Sequence, residues 1–152
     1  MDGTPAVDPH IDLDYQLADN LSRRQGRIFL TGTQALVRLM LAQRQADRER
    51  GLNTAGFVSG YRGSPLGGVD MAMWKAPKAL DANQITFMPG INEDLAATAV
   101  MGTQQVGTRD DRKVDGVYAM WPCGMARDRA WIVPATPCIM ATRPAPRATA
   151  AC

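Results

Sequence analysis

The hydrophobic positions of this chain follow helical and strand-like spacing in turn along six successive segments. Apolar side chains recur at helical intervals in the longest segments, whereas shorter apolar runs are typical of buried strands. The predicted elements are a helix over residues 33–50, a strand over 55–59, a helix over 67–80 that is interrupted near Pro77, a strand over 84–88, a helix over 93–106 and a strand over 114–120. Such alternation with short connections predicts an α/β fold with a mainly parallel sheet and helices on both faces.

Two connections in this pattern carry residues that indicate a ligand site. Residues 59–68, SGYRGSPLGG, form a glycine-rich turn directly after a predicted strand. Further along, Asn92 can cap the next helix, and Glu93 and Asp94 lie where the helix dipole favours negative charge. Both connections follow strand ends, where ligands of open α/β sheets bind. An ordinary strand-to-helix turn and a dipole-complementing cap explain the same residues without a ligand.

Three segments together resemble one enzyme family, indolepyruvate ferredoxin oxidoreductase of the fused type. They are RIFLTGTQALVR at residues 27–38, the turn SGYRGSPLGG, and PGINEDLAATAVMGTQQ at residues 89–105. The family belongs to the thiamine diphosphate-dependent 2-oxoacid:ferredoxin oxidoreductases. The resemblance covers residues 27–121 and implies an N-terminal fragment, with these residues forming part of the domain that binds the pyrimidine side of the cofactor.

The resemblance also implies roles for particular residues. Glu93 would be the catalytic glutamate that faces N1′ of the aminopyrimidine ring, where a carboxyl group can exchange a proton with the cofactor. Arg62 would meet the carboxylate of the 2-oxo acid, although a solvated Arg62 is equally compatible with the sequence. Ser64 would line the pocket for both cofactor and substrate. The implied cofactor-binding residues are Gly60, Tyr61, Gly63, Ser64 and Glu93.

The activity implied for the full-length enzyme is oxidative decarboxylation of an arylpyruvate such as indolepyruvate. Coenzyme A accepts the acyl group, and electrons leave through iron–sulfur clusters to ferredoxin. The diphosphate-binding domain with its Mg²⁺ and the iron–sulfur clusters would belong to a continuation that this chain lacks. Because these parts are missing, we expect this chain to be inactive by itself. For the full-length enzyme we expect a homo-oligomer. A small nucleotide-binding module, or an interaction module that a partner chain completes, is the alternative.

The two ends of the chain fall outside the resemblance. Residues 1–26 form a polar arm with few apolar positions, and residues 122–152 lack any stable periodicity, which predicts a disordered tail. Residues 125–137, back-translated with permitted codons and read two bases later, give GKGPGVDRTGDA. That string resembles the segment that follows the equivalent Met-Trp pair in the family. We therefore interpret the tail as an out-of-frame translation that follows a frameshift near Trp121.

Composition narrows the function classes further. The 152-residue chain has a formal net charge of +2, and its basic excess lies in the tail, so nucleic acid is not an expected partner. All three cysteines, Cys123, Cys138 and Cys152, also lie in the tail, at spacings that match neither a zinc site nor a disulfide framework. A reducing cytoplasm is the expected compartment. No apolar run approaches the length of a membrane span, so we expect no membrane partner.

Overall fold

The computed structural model describes residues 12, 14–122 and 138–141, and its elements follow the predicted order. They are α1 (Asp19–Ser22), α2 (Gly32–Glu49), β1 (Thr54–Val58), α3 (Gly67–Trp74), α4 (Pro77–Ala82), β2 (Ile85–Phe87), α5 (Glu93–Thr103), a 3₁₀ turn (Gln104–Thr108), β3 (Gly116–Trp121) and β4 (Cys138–Ala141).

The sheet has the strand order β2-β1-β3-β4. Its central strand β1 pairs in parallel with β2 on one side and with β3 on the other, whereas β4 pairs antiparallel with β3. Three parallel strands flanked by helices confirm the predicted α/β class. The carboxyl ends of β1, β2 and β3 therefore meet at one edge of the sheet, which is the edge that the glycine-rich turn follows.

Helices cover the two faces of the sheet unequally. Val58, Tyr118 and Met120 point to one face, where they join a buried cluster with side chains of α2, α3 and α4. Ala119 points to the opposite face because successive strand residues alternate, and α5 packs against β3. On that helix Ala96 and Val100 are buried. The larger core thus lies under α2 and α3, whereas α5 and the 3₁₀ turn that follows it pack against β3.

Local signals explain where several helices begin and end. Thr31 and Gln34 form a reciprocal capping box at the start of α2, and Gly51 just beyond its end has φ +76°, the left-handed conformation that glycine adopts easily. Pro77 is the first residue of α4, where its missing N–H costs nothing. The interruption predicted near Pro77 is therefore a boundary between two helices.

Parts of both chain ends are more regular than the sequence predicted. In the polar arm α1 is anchored to α2, because Arg38 donates hydrogen bonds to the backbone oxygens of Asn20 and Arg23. In the tail, β4 adds a strand where disorder was predicted, since the open edge of β3 supplies backbone hydrogen-bonding groups. The rest of the predicted tail beyond Pro122 lies outside the described residues, as do residues 1–11 and 13. Within the described ranges, no helix combines the length and apolarity that a membrane crossing needs.

Candidate functional site

The glycine-rich turn and the start of α5 lie side by side at the carboxyl edge of the sheet. Backbone pairing continues beyond the strands: the N–H of Met88 donates to Val58 O at 2.9 Å, and the N–H of Gly90 donates to Gly60 O at 2.8 Å. Tyr61 and Gly90 form an isolated parallel bridge. Two segments that are about thirty residues apart in sequence therefore form one continuous rim.

Glu93 stands on this rim as the first residue of α5. The Asn92 side chain caps the helix, with Oδ1 accepting from the N–H of Leu95 at 2.8 Å. The side chain of Glu93 is half-buried, and its carboxylate has no hydrogen-bond or ion-pair partner within the described part of the chain. Asp94 beside it is exposed. The capped helix end therefore holds a carboxylate that is free to meet a ligand.

The glycines of the rim are required by packing within the protein. A Cβ on Gly90 would lie 2.7 Å from the Cβ of Ala96, so only glycine lets the chain turn tightly into α5. A Cβ on Gly60 would lie 2.7 Å from Cγ of Pro122, which follows β3. A neighbouring side chain therefore fills the space beside each glycine. The two glycines form part of the rim through their backbone, since the N–H of Gly90 donates to Gly60 O.

Ser64 lies inside the turn. The residue is buried, and its Oγ accepts a hydrogen bond from the N–H of Leu66 at 3.1 Å. Its own N–H donates to Tyr61 O at 3.0 Å, and the Tyr61 ring occupies the space where Gly63 lacks a side chain. The Ser64 hydroxyl thus stabilises the turn as an acceptor, and its own O–H remains available as a donor.

Arg62 is held by a residue that sequence reasoning did not single out. Its Nε lies 2.9 Å from Oδ2 of Asp70, in the first turn of α3. The side chain of Arg62 is 66% exposed and that of Asp70 only 3%. The ion pair fixes the turn to α3 and engages only Nε, while most of the Arg62 side chain stays exposed. In the sequence, Asp70 is marked only as an acidic residue three positions after Gly67. Acidic residues are common in the first turn of helices, so this position alone does not predict the ion pair.

Two buried polar atoms near the rim have no hydrogen-bond partner in the described part of the chain. They are the Oγ of Ser59 and the indole Nε1 of Trp121. Because Val58 is paired with Met120, these two residues follow at neighbouring positions of adjacent strands. Nothing in the sequence distinguished them. The Ser59 hydroxyl and the Trp121 indole N–H are therefore two unsatisfied polar groups at the carboxyl edge of the sheet.

The predicted site residues lie outside the main groove of the described part of the chain. A groove of about 1320 Å³ lies beside α2, between residues of α1 and those of α3 and α4. Its lining includes Gly68 but none of Gly60, Tyr61, Arg62 or Glu93. The structure therefore brings the turn and Glu93 together on an open edge of the sheet, as one wall of a potential site.

Comparison of the chain with protein-family models, with curated proteins and with solved structures found no match. Function is therefore inferred from the carboxyl edge and from the sequence segments that build it.

Proposed function

We propose that this chain is the pyrimidine-side part of a thiamine diphosphate-dependent 2-oxoacid:ferredoxin oxidoreductase that acts on arylpyruvates such as indolepyruvate. The observation that carries the proposal is the backbone pairing of Gly60 and Tyr61 with Gly90, which sets the glycine-rich turn beside Glu93. Two of the three segments that resemble the family thus meet at the edge where ligands of parallel sheets bind.

The residues on the rim fit an aminopyrimidine ring at Glu93. Glu93 is half-buried and its carboxyl group has no partner in the described part of the chain, so it can hydrogen-bond to a ring nitrogen and exchange a proton there. Bound thiamine diphosphate supplies the carbon nucleophile that attacks a 2-oxo acid. Gly60, Tyr61 and Gly63 would offer backbone and ring surface to the cofactor.

The two other predicted ligand residues take modified roles in this proposal. Arg62 can present its outer nitrogens to the carboxylate of a 2-oxo acid while its Nε remains paired with Asp70. Ser64 shapes the turn through the hydrogen bond that its Oγ accepts from the N–H of Leu66, and its O–H can donate to the cofactor or substrate.

An open rim also supports the expectation that this chain is inactive alone. A site with one wall binds its ligand weakly, because most of the ligand surface stays in water. The diphosphate, Mg²⁺, coenzyme A and ferredoxin would be handled by further domains of a cytoplasmic, homo-oligomeric enzyme. We expect no dye or ferredoxin reduction by the purified 152-residue chain with indolepyruvate and coenzyme A; measurable turnover would contradict this.

Amide chemical shifts provide the direct test of the site. Titration with thiamine diphosphate should give weak, saturable shifts at residues 60–63 and 90–95. Glu93→Gln should reduce the affinity, whereas the matched control Asp94→Asn should leave it unchanged because Asp94 points to solvent. Shifts that map to another surface, or that are larger with ADP than with thiamine diphosphate, would instead support a nucleotide-binding module.

DNA sequencing provides an independent test of the proposed origin of the tail. The gene should be resequenced across the codons for residues 118–129 and several hundred bases beyond. We expect a second reading frame that encodes GKGPGVDR, followed by the remaining domains. A nucleotide sequence that cannot be read in this way would contradict the frameshift.

A further inference from the structure

The groove beside α2 is as long as several turns of a helix. Its floor is one side of α2, because the lining residues 34, 37, 38, 41, 42, 45, 46 and 49 recur at steps of three and four. The α3–α4 wall follows this floor. A Cβ on Gly68 would lie 3.1 Å from Cγ2 of Thr33 at one end, and Arg48 donates to the backbone oxygen of Ala82 at the other. The α2 axis between Thr33 and Arg48 measures about 22 Å.

The opposite wall is the described part of the polar arm, and contacts within the chain hold it in place. Arg38 donates from the floor to the backbone oxygens of Asn20 and Arg23. The side chain of Arg23 is in turn paired with Asp12. Both walls are therefore fixed to α2, so the groove exists before any ligand binds.

The bottom of the groove is apolar. Val37 and Leu41 are buried there, and Ala42 beside them is exposed. Met71 lines the α3 wall and is 50% exposed. Methionine adapts its flexible side chain to different partners, so these residues form a strip that apolar side chains of a ligand can cover.

The borders of the groove carry an excess of positive charge. Arg23, Arg24, Arg38, Lys75 and Lys78 line it, against the single acid Glu49. Within the described part of the chain, only Arg23 among these five has a carboxylate partner. The cluster is local, because the basic excess of the whole sequence lies in the tail. A cleft lined by one sign of charge attracts a ligand of the opposite sign.

A helix is the ligand shape that this groove fits. The walls are largely helical, and helices bond their backbone groups internally, so they offer no edge with which an extended chain could pair. A bound helix satisfies its own backbone and needs only apolar contact and charge. A volume of about 1320 Å³ over about 22 Å gives a cross-section of about 60 Å², against roughly 80 Å² for a helix about 10 Å across. Such a helix would bury its apolar side and leave its outer side in water.

We propose that the groove along α2 binds an acidic amphipathic helix of a partner protein. The apolar side of that helix would cover Val37, Leu41 and Ala42, and its carboxylates would face Lys75 and Lys78. The lining includes none of the residues assigned above to the cofactor. This proposal is therefore independent of the proposed function, and either can fail without the other.

Fluorescence anisotropy with a synthetic helix tests the proposal on the full 152-residue chain. The labelled probe is a peptide of about 16 residues, with leucine at steps of three and four, glutamate along both flanks of the leucine face, and alanine elsewhere. It should bind saturably, whereas a scrambled peptide of the same composition should not. Absence of binding, or equal binding of the scrambled peptide, would overturn the proposal.

Two alanines of α2 provide a matched pair of variants. Ala42→Glu places a carboxylate on the floor of the groove and should weaken binding of the probe by at least about tenfold, because the bound helix would bury it unpaired. Ala35→Glu changes another exposed alanine of the same helix, outside the groove lining, and should leave binding unchanged. Both positions are exposed, so thermal unfolding should be alike in the two variants. Equal loss of binding in both would refute the assignment to the groove.

Charge exchange tests the acidic character of the ligand. Lys75→Glu should weaken binding of the glutamate probe by about fivefold, whereas Lys113→Glu, at an exposed lysine outside the lining, should not. A peptide with lysine at every glutamate position should bind the wild-type chain weakly and the Lys75→Glu variant more tightly. A loss of folding does not produce such a gain. If the lysine and glutamate peptides bind the wild-type chain equally well, an acidic ligand is ruled out.

Competition distinguishes the groove from the carboxyl edge and from a simple anion site. Excess thiamine diphosphate should not displace the glutamate probe, and neither should polyglutamate at the same concentration of carboxylates, because it lacks the apolar face. Displacement by thiamine diphosphate would locate the probe at the carboxyl edge, and displacement by polyglutamate would show that charge alone holds it. Either result would overturn the proposal.

Discussion

Gly67→Ala is expected to destabilise the fold although the residue begins a helix. A Cβ at this position would lie 2.3 Å from the backbone oxygen of Arg62, and real Cβ atoms essentially never approach a heavy atom closer than 3.0 Å. The backbone oxygen cannot move freely. Arg62 is tied to Asp70 by its side chain, and the N–H of Gly67 itself donates to Ser64 O at 2.8 Å. The clash must therefore be relieved by distorting the whole turn.

The expected magnitude combines two opposing effects. Overpacking of this kind typically costs about 1–3 kcal/mol, while replacing glycine by alanine at a position of ordinary φ returns about 0.4–1 kcal/mol by restricting the unfolded chain. The net loss in the free energy of unfolding is about 1–2 kcal/mol. For an ordered region of this size, the melting temperature should fall by roughly 4–16 °C.

Thermal and urea unfolding followed by circular dichroism measure this loss. The matched control is Gly32→Ala, also at the first residue of a helix, where a Cβ would meet nothing within 4 Å. The control should unfold at the same temperature as the wild-type chain or slightly above it. If both variants behave alike, the close approach of Gly67 to Arg62 does not constrain the turn, and the packed arrangement of the rim described above is refuted.

Further predictions concern two buried side chains with polar groups, those of Tyr118 and Thr54. The Tyr118 hydroxyl is buried without a hydrogen-bond partner in the described part of the chain, so Tyr118→Phe should leave stability unchanged or raise it by about 1 kcal/mol; a clear loss in urea unfolding would mean that the hydroxyl has a partner. Burial raises the pKa of Tyr118 from its ordinary value of 10.0, and the nearby Arg44 charge offsets this only in part. The folded state therefore holds the phenolic proton more tightly, and the free energy of unfolding should fall as pH rises above about 10, with a smaller slope in the phenylalanine variant. Thr54→Val removes the 2.6 Å hydrogen bond to buried Asp47 and should cost about 1–3 kcal/mol, whereas Thr86→Val at an exposed strand position should have little effect.

The type and order of the main elements could be predicted from the sequence because their signals are local. Apolar spacing distinguishes a helix such as α2 from a strand such as β1 within a few residues. Capping by Thr31 and Asn92, the left-handed Gly51 and the start of α4 at Pro77 depend only on neighbours in the chain. Strand β4 escaped prediction because an edge strand is selected by the unpaired strand beside it, and its own sequence carries no clear period.

The candidate site was predictable in its location and unpredictable in its contacts. Strand ends indicated the carboxyl edge, and the segment around Glu93 indicated a helix start. Whether Ser64 faces a ligand or the inside of its own turn, and whether Arg62 is free or paired with Asp70, depends on which segments pack together.

The sequence by itself determined the alternation of helices and strands, the helix caps and the position of an acid at the mouth of α5, because hydrophobic period and backbone capping act over a few residues. Only the tertiary structure decided that Pro122 and Ala96 fill the space beside Gly60 and Gly90, that Asp70 holds Arg62, and that α1, α3 and α4 border one groove along α2. Each of these depends on burial and contact between segments far apart in the chain, which are properties of packing in three dimensions.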